Sequence, residues 1–113
     1  LKQDRKDRIF QSFIFSLSQN FRTHHSVSFY AAEQCLTPRY FSTIVREKSG
    51  RNALQWIMMF IIAEAKKLLS DPDPSIKEIA ETLGFSNQSF FGRYFKQYVG
   101  LSPMAFRSSG AEE

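Results

Sequence analysis

Apolar residues recur at three- and four-residue spacing along most of the chain, and no segment shows the alternation of a strand, so the pattern predicts an all-α protein. Ile9, Phe10, Phe13, Ile14 and Leu17 share one side of a helix from Arg5 to about Phe21. Ser26 or Ser28 can cap a short helix ending at Gln34. Thr37 followed by Pro38 opens a helix that runs to Lys48 and stops at Gly50. Asn52 caps a long helix, about Ala53 to Ser70, which the DPDP stretch ends. Ser75 opens Ile76 to Leu83, and Gly84 takes the turn. Ser86 or Asn87 then caps a helix that stops before Gly100, and Ser102 with Pro103 begins a last short one, Met104 to about Arg107.

The pattern is written twice. Val27, Tyr30, Ala31, Leu36 and Thr37 recur 49 residues later as Ile76, Ile79, Ala80, Phe85 and Ser86. Phe41, Val45, Gly50 and Trp56 recur 50 residues later as Phe91, Phe95, Gly100 and Phe106, so the second copy holds one extra residue near Asn87 to Ser89. Each copy reads as a short helix, a tight turn, a second helix and a glycine stop, the plan of a helix-turn-helix. Ala31 and Ala80 fall where the two helices cross, where a larger side chain would push them apart. Gly84 permits the tight turn of the second copy. Cys35 occupies that place in the first, which must turn without glycine.

Within residues 84–100, GFSNQSFFGRYFKQYVG, Phe91, Tyr94, Phe95 and Tyr98 lie on one side of a helix at i, i+3, i+4 and i+7, a core face. Gln88, Ser89, Gly92, Arg93 and Lys96 gather on the other, a small, hydrogen-bonding, cationic face suited to a major groove about 12 Å wide. Arg93 can address guanine O6 and N7, Gln88 can address adenine N6 and N7, and Ser89 a base or a phosphate. Gly92 removes bulk at the closest approach, and Lys96, a turn further on, suits a phosphate. In the first copy the same stripe is Arg39, Ser42, Thr43 and Arg46, opposite Phe41, Ile44 and Val45. Arg39, Ser42, Thr43, Gln88, Ser89, Gly92 and Arg93 are therefore assigned to bases, and Thr37, Arg46, Asn87 and Lys96 to the DNA backbone. A solvated polar face is the plainer reading for any one of these residues. The repeat, the charge and the small-residue choices favour the nucleic-acid surface for the two faces together.

Composition sharpens this picture in a few places. The 113 residues carry a net charge of +4. Thr37 to Arg51 holds Arg39, Arg46, Lys48 and Arg51 against Glu47, and Ser86 to Arg107 holds Arg93, Lys96 and Arg107 with no acid, so the rest of the chain is net acidic. Two separated basic stretches suit a polyanion partner. The longest apolar run, Trp56 to Ala63, is eight residues, too short to span a membrane, which takes roughly 20. The charged start LKQDRKDR carries no signal-peptide pattern, and Leu1 indicates a piece of a longer or processed chain. The single Cys35 excludes an internal disulfide and fits a reducing, cytoplasmic compartment; it reads as a packing residue rather than a reactive thiol. His24 and His25 are the only histidines, adjacent residues that a helix would point about 100° apart, and no HExxH, CxxC or GxxxxGK[ST] spacing occurs. No catalytic residue, metal or cofactor is assigned.

The stretch SIKEIAETLGFSNQSFFGRYFKQYVGLSPMAFR resembles the second helix-turn-helix of AraC/XylS-type bacterial transcription regulators, through Ile79-Ala80, Gly84-Phe85-Ser86, Ser89, Phe91, Arg93, Phe95-Lys96, Gly100, Pro103 and Arg107. Ala31, Phe41, Gly50, Trp56 and Ala65 with Leu68-Leu69 fit the first unit and the linker helix, so the resemblance covers about residues 25–108. It implies a seven-helix DNA-binding domain: two helix-turn-helix units joined by a long central helix, both recognition helices entering successive major grooves of double-stranded DNA. It also implies transcription control through contact with RNA polymerase, and an upstream sensing or dimerising domain. A central helix of about 18 residues is about 27 Å long, compatible with grooves one turn, about 34 Å, apart.

The organisation expected is a lead-in helix in residues 1–25, a first helix-turn-helix in 26–51, a central linker in 52–71, a second helix-turn-helix with closing helix in 72–108, and a disordered tail in 109–113. The family usually carries an arginine near the position of Ile61, where this chain has the apolar run WIMMFII, so no backbone contact is assigned to the middle of that helix. The surplus apolar groups either pack under the first helix, the favoured reading, or meet a sensor domain or second protomer. Two rivals stand beside DNA. A helical protein-interaction module would barely respond to salt, whereas binding through about six phosphates loses several hundred-fold or more over a fourfold salt rise. RNA is disfavoured because the A-form major groove excludes such helices.

Overall fold

The computed structural model describes residues 4–110, and all of its regular structure is helical. Seven helices follow in order: α1 (Arg5–Asn20), α2 (Val27–Glu33), α3 (Pro38–Ser49), α4 (Ala53–Ser70), α5 (Ile76–Thr82), α6 (Gln88–Val99) and α7 (Pro103–Ser109). The starts are set by side chains that accept otherwise orphaned amides. Asp4 and Asp7 form a reciprocal capping box at α1, and Ser75 and Glu78 another at α5. Ser26, rather than Ser28, caps α2, and Asn87, rather than Ser86, caps α6. Asn52 Oδ1 accepts from the Gln55 N–H at 2.8 Å while Gln55 Oε1 accepts from the Asn52 N–H at 2.8 Å, which fixes the start of α4. At the other end of the chain α7 reaches Ser109 and Gly110 closes it, so helical order extends into the stretch expected to be a tail. The remaining tail residues, 111–113, lie outside those described.

The chain divides into two compact units, one through Phe60 and one from Ile61, with the division falling inside α4. In the first, Phe13 of α1 meets Tyr30 of α2 edge-on at 5.4 Å and Phe41 of α3 at 5.1 Å. Leu17, Ile44, Val45 and Ile57 complete that buried core. Trp56 packs against Phe10 at 5.8 Å and donates from Nε1 to Ser49 Oγ at 2.8 Å, and Phe60 packs against Phe21 at 5.8 Å. Part of the apolar surplus of α4 is thus taken up by α1, the favoured of the two expectations. Ile61 and Ile62 are also buried.

In the second unit Phe85, Phe91, Phe95 and Phe106 form a chain of ring contacts at 5.2, 5.9 and 5.5 Å. Ile79, Ala80 and Leu83 of the preceding segment are buried with them. Tyr98, expected on the same core face, covers Tyr94 edge-on at 5.0 Å and is 41% exposed.

The two turns are built alike. In the first, the Cys35 N–H donates to Ala32 O and the Leu36 N–H to Ala31 O, both at 3.0 Å. In the second, the Gly84 N–H donates to Glu81 O at 3.1 Å and the Phe85 N–H to Ala80 O at 3.0 Å. This bond pair requires a left-handed residue after the helix. Gly84 adopts φ +81° at no steric cost, whereas Cys35 adopts φ +59° against one.

Candidate nucleic-acid interface

Helices α3 and α6 each have 12 residues, start from a side-chain cap, and end on a glycine in the left-handed region. Their inner faces are pinned by Phe41, Ile44 and Val45 in one and by Phe91 and Phe95 in the other. Rigid burial on one side is what holds the opposite side ready for a groove.

Most of the predicted residues lie on that free side. Arg39, Thr43 and Arg46 are exposed on α3, and Gln88, Ser89, Arg93 and Lys96 on α6. Among the described residues no carboxylate lies within ion-pair distance of Arg39, Arg46, Arg93 or Lys96. Space around Gly92 is open: a Cβ there would meet nothing within 4 Å, so internal packing does not demand the glycine. Thr37 and Asn87 are exposed but occupied as caps, accepting from the Tyr40 N–H at 3.2 Å and the Phe90 N–H at 2.8 Å. Each keeps a donor beside the cap it accepts, the Thr37 hydroxyl and the Asn87 amide. Thr43 donates its hydroxyl to Arg39 O at 3.0 Å and retains only acceptor capacity. Ser42 departs most from expectation. It is half-buried, and its Oγ accepts from the Ala53 N–H at 3.4 Å, so it faces the start of α4.

Two cations counted in the basic stretches are engaged elsewhere. Lys48 bonds Asp7 at 2.9 Å and Asp4 at 3.3 Å, tying α3 to the start of α1, and Lys6 reinforces this with Glu47 at 3.0 Å. Arg107 donates from Nε to Leu69 O at 3.2 Å and from Nη2 to Asp71 O at 2.9 Å, closing the carbonyl end of α4 where a cation is favoured. Neither use is visible in local sequence, because the partners are 36 to 44 residues away. The outward aromatics Tyr40 and Phe90, in contrast, were open to detection: the 50-residue offset that aligns Phe41 with Phe91 aligns them too.

Two helix-turn-helix units, each holding an amphipathic second helix with exposed cations outward, define a nucleic-acid-binding domain of the helix-turn-helix class. Residues 30–109 match the family described as a helix-turn-helix domain. The chain belongs to the AraC-type helix-turn-helix family. It is 37% identical over 83 residues to the arabinose operon regulatory protein of Escherichia coli, covering 74% of this chain and 28% of that protein. With the arabinose operon regulatory protein of Salmonella typhimurium it shares 34% identity over 86 residues, covering 76% of this chain and 31% of that protein. The chain thus spans less than a third of the length of either. Among solved structures it is similar to the DNA-binding domain of AdpA in complex with a target DNA, with a TM-score of 0.75, 26% identity, and coverage of 89% of this chain and 90% of that one. The C-terminal domain of AraT, a response regulator from Geobacillus stearothermophilus, shares the fold with a TM-score of 0.84 at 23% identity, covering 94% of this chain and 88% of that one.

Proposed function

We propose that this chain is the DNA-reading part of a larger, ligand-responsive bacterial transcription regulator, and that α3 and α6 enter successive major grooves of one duplex. The observation that carries this is the division of labour among cations. Among the described residues, Arg39, Arg46, Arg93 and Lys96, on the free faces of α3 and α6, have no carboxylate partner, while Lys48 and Arg107, off those faces, are consumed by structural contacts. Unpaired charge held on a rigid face is available for phosphates and base edges.

In this reading Arg93 contacts guanine, Gln88 contacts adenine, and Ser89 and Gly92 allow close approach. Arg39 and Thr43 do the corresponding work in the first unit, where Ser42 serves instead to seat α3 on α4. Thr37, Arg46, Asn87 and Lys96 hold phosphates. Once bound, the domain touches RNA polymerase, and an upstream domain senses the ligand. Support for a larger regulator comes from the arabinose operon regulatory proteins, of which the chain matches only a part.

Selection of bound duplexes from a random pool tests the reading. Two short boxes about ten base pairs apart, centre to centre, are expected. A single box leaves one unit without a base-reading role, and no enrichment rejects sequence-specific binding altogether.

A further inference from the structure

Tyr40 and Phe90 hold the same place in the two units. Each is the third residue of its recognition helix, three residues before Thr43 and Arg93 respectively, hence about 60° around the helix from them. Each has its backbone N–H held by the cap, Tyr40 by Thr37 and Phe90 by Asn87. Each is nearly half exposed, 45% for Tyr40 and 46% for Phe90, in a protein whose other recognition-helix phenylalanines, Phe41, Phe91 and Phe95, are fully buried. Phe90 is further steadied by an edge-on contact with Phe85 at 5.7 Å. The N-terminal turn of a recognition helix is the part that reaches base edges. There, the one apolar feature a major groove offers is the C5-methyl of thymine.

We infer that Phe90 is a specificity-determining residue that reads a thymine methyl beside the base addressed by Arg93, with Tyr40 placed to do the same in the first unit. This rests on the proposed duplex-reading role of α6. A ring held by a capped backbone and an aromatic neighbour is already ordered before binding, so its half-exposed edge is free to cover the methyl without losing further freedom. Phe90 has no polar atom and can contribute nothing to a phosphate, which separates its role from those of Lys96 and Asn87.

The test uses the chain and the duplex selected for it, with each thymine replaced in turn by deoxyuridine, which removes the methyl and nothing else. One position in the box read by α6 is expected to lose about fourfold in affinity, the value of one buried methyl-sized group. The same replacement is expected to have no effect on Phe90→Ala. A wild-type chain indifferent to every replacement overturns the inference, as does a methyl effect that persists in Phe90→Ala. Should Phe90→Ala fail to fold, 5-bromodeoxyuridine at the sensitive position supplies the second measurement. It is expected to restore affinity, bromine being close to methyl in size, and to photocrosslink to Phe90. A crosslink mapped to another residue refutes the assignment. If selection enriches no sequence at all, it is the duplex-reading proposal that fails.

Discussion

Cys35→Gly should make the first unit more stable. Cys35 sits at φ +59°, a conformation that costs a residue bearing a Cβ on the order of 1–3 kcal/mol. Its side chain is exposed, contrary to the packing role expected from the sequence, so its removal gives up little packing. The bond that needs this geometry, from the Leu36 N–H to Ala31 O at 3.0 Å, is identical in length to its counterpart at Gly84. Against the relieved strain stands the larger backbone entropy of glycine in the unfolded chain, roughly 0.5–1 kcal/mol. The net gain therefore lies between about 0 and 2.5 kcal/mol, centred near 1 kcal/mol. Trp56 is the single tryptophan and packs inside the first unit, so its fluorescence during urea unfolding reports on that unit. With a slope of about 1–2 kcal/mol per molar, the midpoint should rise by about 0.5–1 M. Cys35→Ala retains the Cβ and should leave it in place, and Gly84→Ala should weaken the second unit by about 1 kcal/mol. The reasoning fails if Cys35→Gly lowers the midpoint. It fails equally if alanine and glycine shift it alike, since the thiol and not the backbone would then be the cause.

Phe95→Ala empties the middle of the ring chain linking Phe91 to Phe106 and should cost about 3–5 kcal/mol, read by amide exchange in the second unit; a cost below about 1 kcal/mol would mean the core is misread. Arg93→Ala should lose about 1–3 kcal/mol of binding and relax preference at one or two base pairs, and an equal loss on every sequence would make Arg93 a phosphate contact instead. Lys96→Ala should reduce the slope of log affinity against log salt by about one, whereas Arg107→Ala should leave that slope unchanged and lower stability by about 1 kcal/mol through the lost closure of α4; binding titrations over a salt series with urea melts distinguish the two. The Asp4 carboxyl is held below its ordinary value of 3.8, first by the Asp7 N–H it accepts and then by Lys48. A depressed carboxyl stabilises above its unfolded value and loses that contribution as pH falls through the folded one, so acid below about pH 4 should loosen α1, and Trp56 fluorescence of Asp4→Asn should respond less in that window.

The helices, their caps and the duplicated helix-turn-helix plan were legible in the sequence because each depends on neighbours within about four residues: apolar spacing, a hydroxyl or amide before the first turn, a glycine after the last. The outward placement of Arg39, Arg93 and Lys96 follows from the same periodicity once Phe41, Phe91 and Phe95 are taken as core. Choices between adjacent candidates, Ser26 over Ser28 and Asn87 over Ser86, needed the backbone, since either oxygen satisfies the local rule. Only the tertiary structure decided which polar groups remain for a partner. Lys48 is drawn to Asp4 and Asp7, Arg107 to the carbonyls of Leu69 and Asp71, and Ser42 to the Ala53 amide, by packing of segments that are not neighbours in the chain. The same long-range packing placed Phe21 and Phe10 against the apolar run of α4, which the sequence left between two uses. Periodicity records which side of a helix is apolar; what comes to rest against that side is settled by the free energy of the whole fold.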